Sequence, residues 1–193
     1  MFLIRRPSPR EVDAFLADCR ERPFSYRGPE TPERPPAGFL VDRETFPMGQ
    51  GRQTFARAVE AVRSWRQFDL GWVTLFPVDA PVAPGAAVAV CIRHLGFWSL
   101  NGARVVSTSG SARADSFGLT YRTLTNHAEC GEESFTVTLN PETGAVSYTI
   151  HAISSPHVFL TKLGLPYVRV LQARFRRDSA DALRLAINRP AVN

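Results

Sequence analysis

Apolar residues recur at helical spacing near both ends of the chain and at alternating positions between them. At the start, Ser8-Pro9-Arg10-Glu11 places a capping serine, a proline at the first helical position and a glutamate three residues after the cap. Val12, Phe15, Leu16 and Cys19 then share one face, which predicts a first helix. A second helix is expected after Gly49-Gln50-Gly51, with Phe55, Ala58, Val59, Val62 and Trp65 on its buried side. Beyond Phe68 and Gly71-Trp72 the period changes, and strands are expected over 72–76, 86–95, 104–109, 117–124, 134–139 and 145–153. The alternation is clear in Phe117, Leu119 and Tyr121 and again in Phe135, Val137 and Leu139, and it implies strands with one buried face. Asn140-Pro141-Glu142-Thr143-Gly144 is a hairpin turn by composition. The chain closes on a helix with Leu171, Phe175, Leu183, Ala186 and Ile187 on one side, arginines and aspartates on the other, and Pro166 near its start.

Two helices, a run of antiparallel strands and a long final helix define an α+β chain. An antiparallel sheet with one apolar face must cover that face, and the last helix is the available cover. If the sheet curves around it, a cavity remains between them. The segment 28–38 contains four prolines and reads as an extended surface stretch, either a connector or a lid. Residues 41–48 do not read as a strand. The expected organisation is one domain over 1–193, with an N-terminal helix in 1–23, the proline-rich segment 28–38 and a core over 49–187. No internal repeat is visible.

Composition narrows the function classes. At 193 residues the chain can bury a sizeable core, and 44% apolar against 21% charged residues is ordinary globular usage. The formal charge of +5 comes from 22 arginines and a single lysine, Lys162, spread along the chain and interleaved with acids. A nucleic-acid surface would instead cluster its basic residues beside stacking aromatics, so no nucleic-acid partner is expected. Cys19, Cys91 and Cys130 lie far apart with no C-x-x-C, which argues against a disulfide framework and a structural zinc site. The first ten residues lack a signal-peptide core and no apolar run approaches a membrane span, so the expected compartment is the cytoplasm.

The densest polar run is His127-Ala128-Glu129-Cys130-Gly131-Glu132-Glu133. If it continues a strand, His127, Glu129 and Glu133 share a side and offer an imidazole and carboxylates for acid–base work or a hard metal ion. The simpler reading is a solvated acidic hairpin loop, and spacing alone favours it, because no H-E-x-x-H is present. Gly49-Gln50-Gly51 lacks the strand and third glycine of a phosphate-binding loop and reads as a turn into the second helix. No G-x-S-x-G occurs, and covalent catalysis by Cys19 or Cys91 is not expected. Trp65, Trp72 and Trp98, with thirteen phenylalanines, can line a pocket for a large apolar ligand or simply fill a core. His94, His151 and His157 stand isolated and read as structural. No cofactor or metal is assigned.

Several segments follow one recognisable order: Phe24-Ser25-Tyr26, Pro36-Ala37-Gly38-Phe39, the stretch from Gly49 to Trp72, Asn101, Arg104-Val105-Val106 and Phe117-Gly118. The run from Tyr121 to Phe135 continues it, with Tyr148, Ser154, Pro156 and Gln172 to Phe175 beyond. This pattern resembles a bacterial and plant family, the domain of unknown function numbered nineteen-ninety, over about Phe24 to Ile187. Its most specific part is H-x-E-x-G-E-E-x-F, from His127 to Phe135. Members usually read Y-G-T-L-P before the histidine, where this chain has Arg122 for the glycine and Thr125 for the proline. The family is in turn similar to the helix-grip proteins, which include START-like lipid-transfer domains, pollen-allergen-like proteins and polyketide cyclases (the SRPBCC superfamily). That likeness implies a curved antiparallel sheet wrapped around a long C-terminal helix, with N-terminal helices.

The leading functional expectation is non-covalent binding of a small hydrophobic or aromatic molecule, with Trp65, Trp72, Trp98, Tyr121 and Tyr148 as ligand-binding candidates. The alternative is an enzyme of cyclase, dehydratase or hydrolase type, in which His127 acts as acid or base, Glu129 or Glu133 orients it, and Tyr121 supplies a hydroxyl. A third reading is a protein-interaction module that uses the proline-rich segment.

Overall fold

The computed structural model describes residues 1–28, 36–156 and 165–189. The elements in order are β1 (Phe2–Leu3), α1 (Pro9–Glu21), β2 (Leu40–Gln50), α2 (Arg52–Arg63), a 3-10 turn (Arg66–Phe68) and β3 (Val73–Phe76). They continue with β4 (Ala87–Arg93), β5 (Trp98–Gly110), β6 (Ser116–Thr123), β7 (Glu129–Leu139), β8 (Ala145–Pro156) and the closing helix, labelled α3 (Leu165–Asn188). Strands β3 to β8 form a consecutive antiparallel meander, β2 returns to pair with β8, and β1 pairs with the start of β5. The result is a curled antiparallel half-barrel. Register shifts between Val105 and Ser107 on β5 and between Pro47 and Gly49 on β2 bend the sheet at these points.

Period-two alternation assigns the faces. Val88 and Val90 join the main core, whereas Ala89 and Cys91 pack on the opposite side against Val12, Phe15 and Cys19 of α1. Helix α1 therefore covers the outer face. It starts with the expected capping box: the Glu11 carboxylate accepts from the Ser8 backbone N–H at 2.8 Å, and Ser8 Oγ accepts from the Glu11 N–H. On the concave face, Phe117, Leu119 and Tyr121 of β6 meet Phe135, Val137 and Leu139 of β7 and Val146, Tyr148 and Ile150 of β8. Helix α2 and the second half of α3, through Ala180, Leu183 and Ile187, close over them.

Three expectations change. Residues 41–48 form part of β2, which begins at Leu40, ahead of the core boundary placed at residue 49. The charges and Pro47 that argue against a strand are tolerated there because β2 is an edge, where a missing N–H breaks no ladder. β5 starts at Trp98 and not at residue 104. Gly102 is required by close packing: a Cβ there would lie 2.7 Å from Cys19 Sγ and closer still to Asn126 Oδ1. The acidic run is no loop, since Glu129 to Glu133 are the opening residues of β7. Residues 29–35 of the proline-rich segment, and His157, lie outside the described residues.

Phe135 is fully buried, and its ring lies 5.6 Å from Phe68 and 5.7 Å from Tyr121, where sheet, 3-10 turn and α3 meet. Phe135→Ala should lower stability by about 3–5 kcal/mol, measured as a shift of the urea midpoint with an unchanged slope.

A cavity with two inward carboxylates

Because β7 is a strand, Glu129, Gly131 and Glu133 project to its concave face while Glu132 projects outward. Glu132 is buried on that outer side, where Arg122 Nε donates to it at 2.8 Å and the Arg122 guanidinium lies 5.3 Å from the Tyr26 ring centre. The adjacent glutamates thus have opposite surroundings. Glu132 completes an ion pair beneath the N-terminal segment, and Glu133 lines a cavity of about 180 Å³ between the sheet and α3. The remaining wall is mostly apolar, with Phe68, Trp72, Val90, Ile92, Leu171 and Phe175.

Glu133 sits in register between Tyr121 on β6 and Ala152 on β8. The Tyr121 hydroxyl donates to Glu133 Oε2 at 2.5 Å. Glu129 opens β7, where Gln172 of α3 donates through Nε2 to Glu129 Oε1 at 2.9 Å and to Ser154 Oγ at 3.2 Å. His127 occupies the turn before β7 and also lines the cavity. Its Nδ1 accepts the Glu129 N–H at 2.9 Å, which assigns the proton of the neutral ring to Nε2. Asn101 Oδ1 accepts the Ala128 N–H, and Asn101 Nδ2 donates to Ser99 Oγ at 2.9 Å. Ser99 Oγ in turn shares a hydrogen bond with His94 Nε2, so a polar belt runs from His94 to the backbone of Ala128.

Gly131 makes this arrangement possible. A Cβ at residue 131 would stand 1.8 Å from the Ile153 carbonyl oxygen, so any side chain would push β7 away from β8. The glycine of H-x-E-x-G-E-E-x-F is therefore a close-approach position that keeps both carboxylates over the cavity.

Burial sets the electrostatics. Glu133 lines the cavity between the sheet and α3, and desolvation there raises its pKa to about 7, against the Tyr121 hydrogen bond and with help from the charge of Glu129. Burial also raises Glu129, while Gln172 and Arg169 work in the other direction. The Tyr121 hydroxyl is held well above its usual range by burial and then by the neighbouring Glu133. Asp42 at the cavity edge is lowered by its hydrogen bonds from Arg169.

Five predicted residues meet at this cavity: Trp72, Tyr121, His127, Glu129 and Glu133. Three do not. Trp65 is in the core, with Nε1 donating to the Ala80 carbonyl at 2.8 Å. Trp98 packs with the α1 cluster on the outer face. Tyr148 is fully buried, and its hydroxyl pairs with Ser179 at 3.0 Å. Sequence reasoning missed Asp42, Phe68, Asn101, Gln172 and Phe175. The signal for Gln172 was a lone amide on the apolar side of the last helix. Among the described residues, no group of three or more His, Cys, Asp or Glu side chains is placed to hold a metal ion.

A curled antiparallel sheet gripping a C-terminal helix over a cavity is the helix-grip architecture. The chain belongs to the family described as Domain of unknown function (DUF1990), which matches residues 25–182. A UPF0548 protein of Dictyostelium discoideum is 32% identical over 97% of this chain and 96% of its own length. Solved structures with the same fold include a hypothetical protein from Helicobacter pylori, with a TM-score of 0.56 at 13% identity, covering 83% of this chain and 94% of that one. An aromatase/cyclase from Streptomyces sp. R1128 aligns with a TM-score of 0.50 at 8% identity over 78% of this chain and 94% of its own. No helix among the described residues is long and apolar enough to cross a membrane.

The raised pKa of Glu133 makes stability depend on pH. Between the carboxyl's ordinary value near 4.5 and about 7 the folded chain holds a proton that the unfolded chain has released, so stability is highest below that window and falls as pH rises through it. Glu133→Gln keeps an acceptor for Tyr121 and removes the titration. Urea unfolding should show the variant gaining roughly 2–3 kcal/mol on the wild type between pH 4.5 and 8.

Proposed function

We propose that the protein binds a small hydrophobic or aromatic molecule, non-covalently, in the cavity between the sheet and α3. The observation that carries this reading is an apolar space of about 180 Å³ with its polar groups gathered around Tyr121, Glu133, Glu129 and Gln172. Protein interiors are otherwise close-packed, and such a pattern of apolar walls with a few convergent polar groups is that of a ligand site. An apolar cavity of about 150 Å³ accepts benzene, so the occupant is of single-ring size, smaller than the large ligand that the aromatic count suggests.

A second reading is supported by the Tyr121–Glu133 pair. A carboxyl with a pKa of about 7, in contact with the cavity, is suited to move a proton to or from a bound molecule. Under it, His127→Ala or Glu133→Gln binds the occupant and loses turnover; variants that convert it as fast as wild type remove this reading.

For binding itself, native mass spectrometry of gently purified protein should release an organic mass, and calorimetry with 2-phenylethanol should show one site per chain. Ala152→Leu, beside Glu133, and Val90→Phe each fill the space and should weaken uptake at least tenfold with an unaltered circular dichroism spectrum. Unchanged uptake in both variants would overturn the assignment.

A further inference from the structure

The cavity wall carries an unbalanced charge. Two carboxylates, Glu129 and Glu133, face the space, and among the described residues no lysine, arginine or histidine nitrogen lies within 4.0 Å of either. The nearest cations are already engaged. On α3, Arg169 grips Asp42 with both terminal nitrogens and also donates to Gln172. Arg176 pairs with Glu44 at 2.9 Å and with Asp42 at 3.6 Å. Four carboxylates on β2 and β7 therefore face two guanidinium groups.

Other groups around Glu133 supply no positive charge. Tyr121 on β6 donates a neutral hydroxyl, and Tyr148 on β8 is turned to Ser179. His127 has Nδ1 occupied as an acceptor of the Glu129 N–H, which fits the neutral ring. Aromatic side chains complete the wall, since Phe68, Tyr121 and Phe175 all line the space, with Phe68 5.4 Å from Phe175 and 6.3 Å from Tyr121. Carboxylates set among aromatic faces are complementary to an organic cation, which gains ion pairing from the first and cation–π attraction from the second.

We propose that the occupant of the cavity is a single-ring amine, whose ammonium group lies between Glu133 and Glu129 and whose ring packs against Phe68, Tyr121 and Phe175. This rests on the cavity being a ligand site and goes further in naming the chemical class. In the empty protein Glu133 meets the charge imbalance by taking a proton near neutrality; a bound ammonium meets it instead, so binding displaces that proton. The amine's advantage over neutral molecules must then grow as pH rises through about 7.

Calorimetry with three matched probes tests this: phenethylamine, 2-phenylethanol and phenylacetate, each at pH 5.5 and 8. The expected result is that phenethylamine binds at least tenfold more tightly than 2-phenylethanol at pH 8, that the ratio shrinks severalfold at pH 5.5, and that phenylacetate binds most weakly. Glu133→Gln should bring the amine to the affinity of the alcohol at both pH values. Equal affinities for amine and alcohol in the wild-type protein at pH 8, or a preference for phenylacetate, would overturn the amine class while leaving the ligand site in place. If none of the three binds, the ligand-site reading falls together with the amine.

Discussion

The sheet's concave apolar face is closed by α2 and by a final helix that is held in two different ways, and the cavity follows from that difference. The second half of α3 is fixed by burial: Ala180, Leu183 and Ile187 sink into the core formed by α2, β7 and β8. Its first half, where Leu171 and Phe175 are only partly buried, is tied to the sheet edge by charged and amide side chains. Arg169 and Arg176 reach Asp42 and Glu44 on the edge strand, and Gln172 reaches Glu129. Side chains that clasp by ion pair and amide hold the helix at arm's length, whereas apolar side chains draw it in until no space remains. The gap therefore opens under the ion-paired half.

The same division explains the acidic strand. A pair of adjacent glutamates on a strand must point to opposite faces. Here each face imposes its own solution. Outside, Glu132 finds Arg122 and is satisfied as an ion pair under Tyr26. Inside, Glu133 finds only a tyrosine hydroxyl and is held by burial near the point of protonation. Arg122 is thus paired on the outer face, and the inner surface retains its two carboxylates.

Local chemistry was readable from the sequence wherever a short segment decides its own structure. The Ser8–Glu11 box, the apolar stripe of α2 and the turn from Asn140 to Gly144 all appear as expected. What failed depends on partners distant in sequence. β2 looks too charged for a strand until Arg169 and Arg176 are placed beside it. The strand expected from residue 104 extends back to Trp98, where α1 packs against Gly102 and the Asn101 side chain binds the turn after β6. The His127–Glu133 run was visible as a cluster, but its direction depended on whether β7 begins at Glu129 or at Ser134. Trp65, Trp98 and Tyr148 show the converse limit: an aromatic residue states that it will be buried, and only topology decides whether it meets a cavity, a helix or the core.

A carboxyl held near neutral pKa inside an apolar wall is a standing cost to the folded state, because its charged form is poorly solvated there. Nothing in the packing demands it. Ala152 and Tyr121 flank Glu133 in register, and an apolar residue at that position would extend the core formed by Phe135 and Val137 along the same strand. Gly131 adds to the cost, since it gives up a side chain so that β7 and β8 can approach behind the carboxylates. Local departures from what stability favours, gathered at one end of one cavity, are where a fold departs from self-consistency for the sake of its function. The helix-grip architecture supplies the space, and Glu129, Gly131 and Glu133 gather these departures at that end of it.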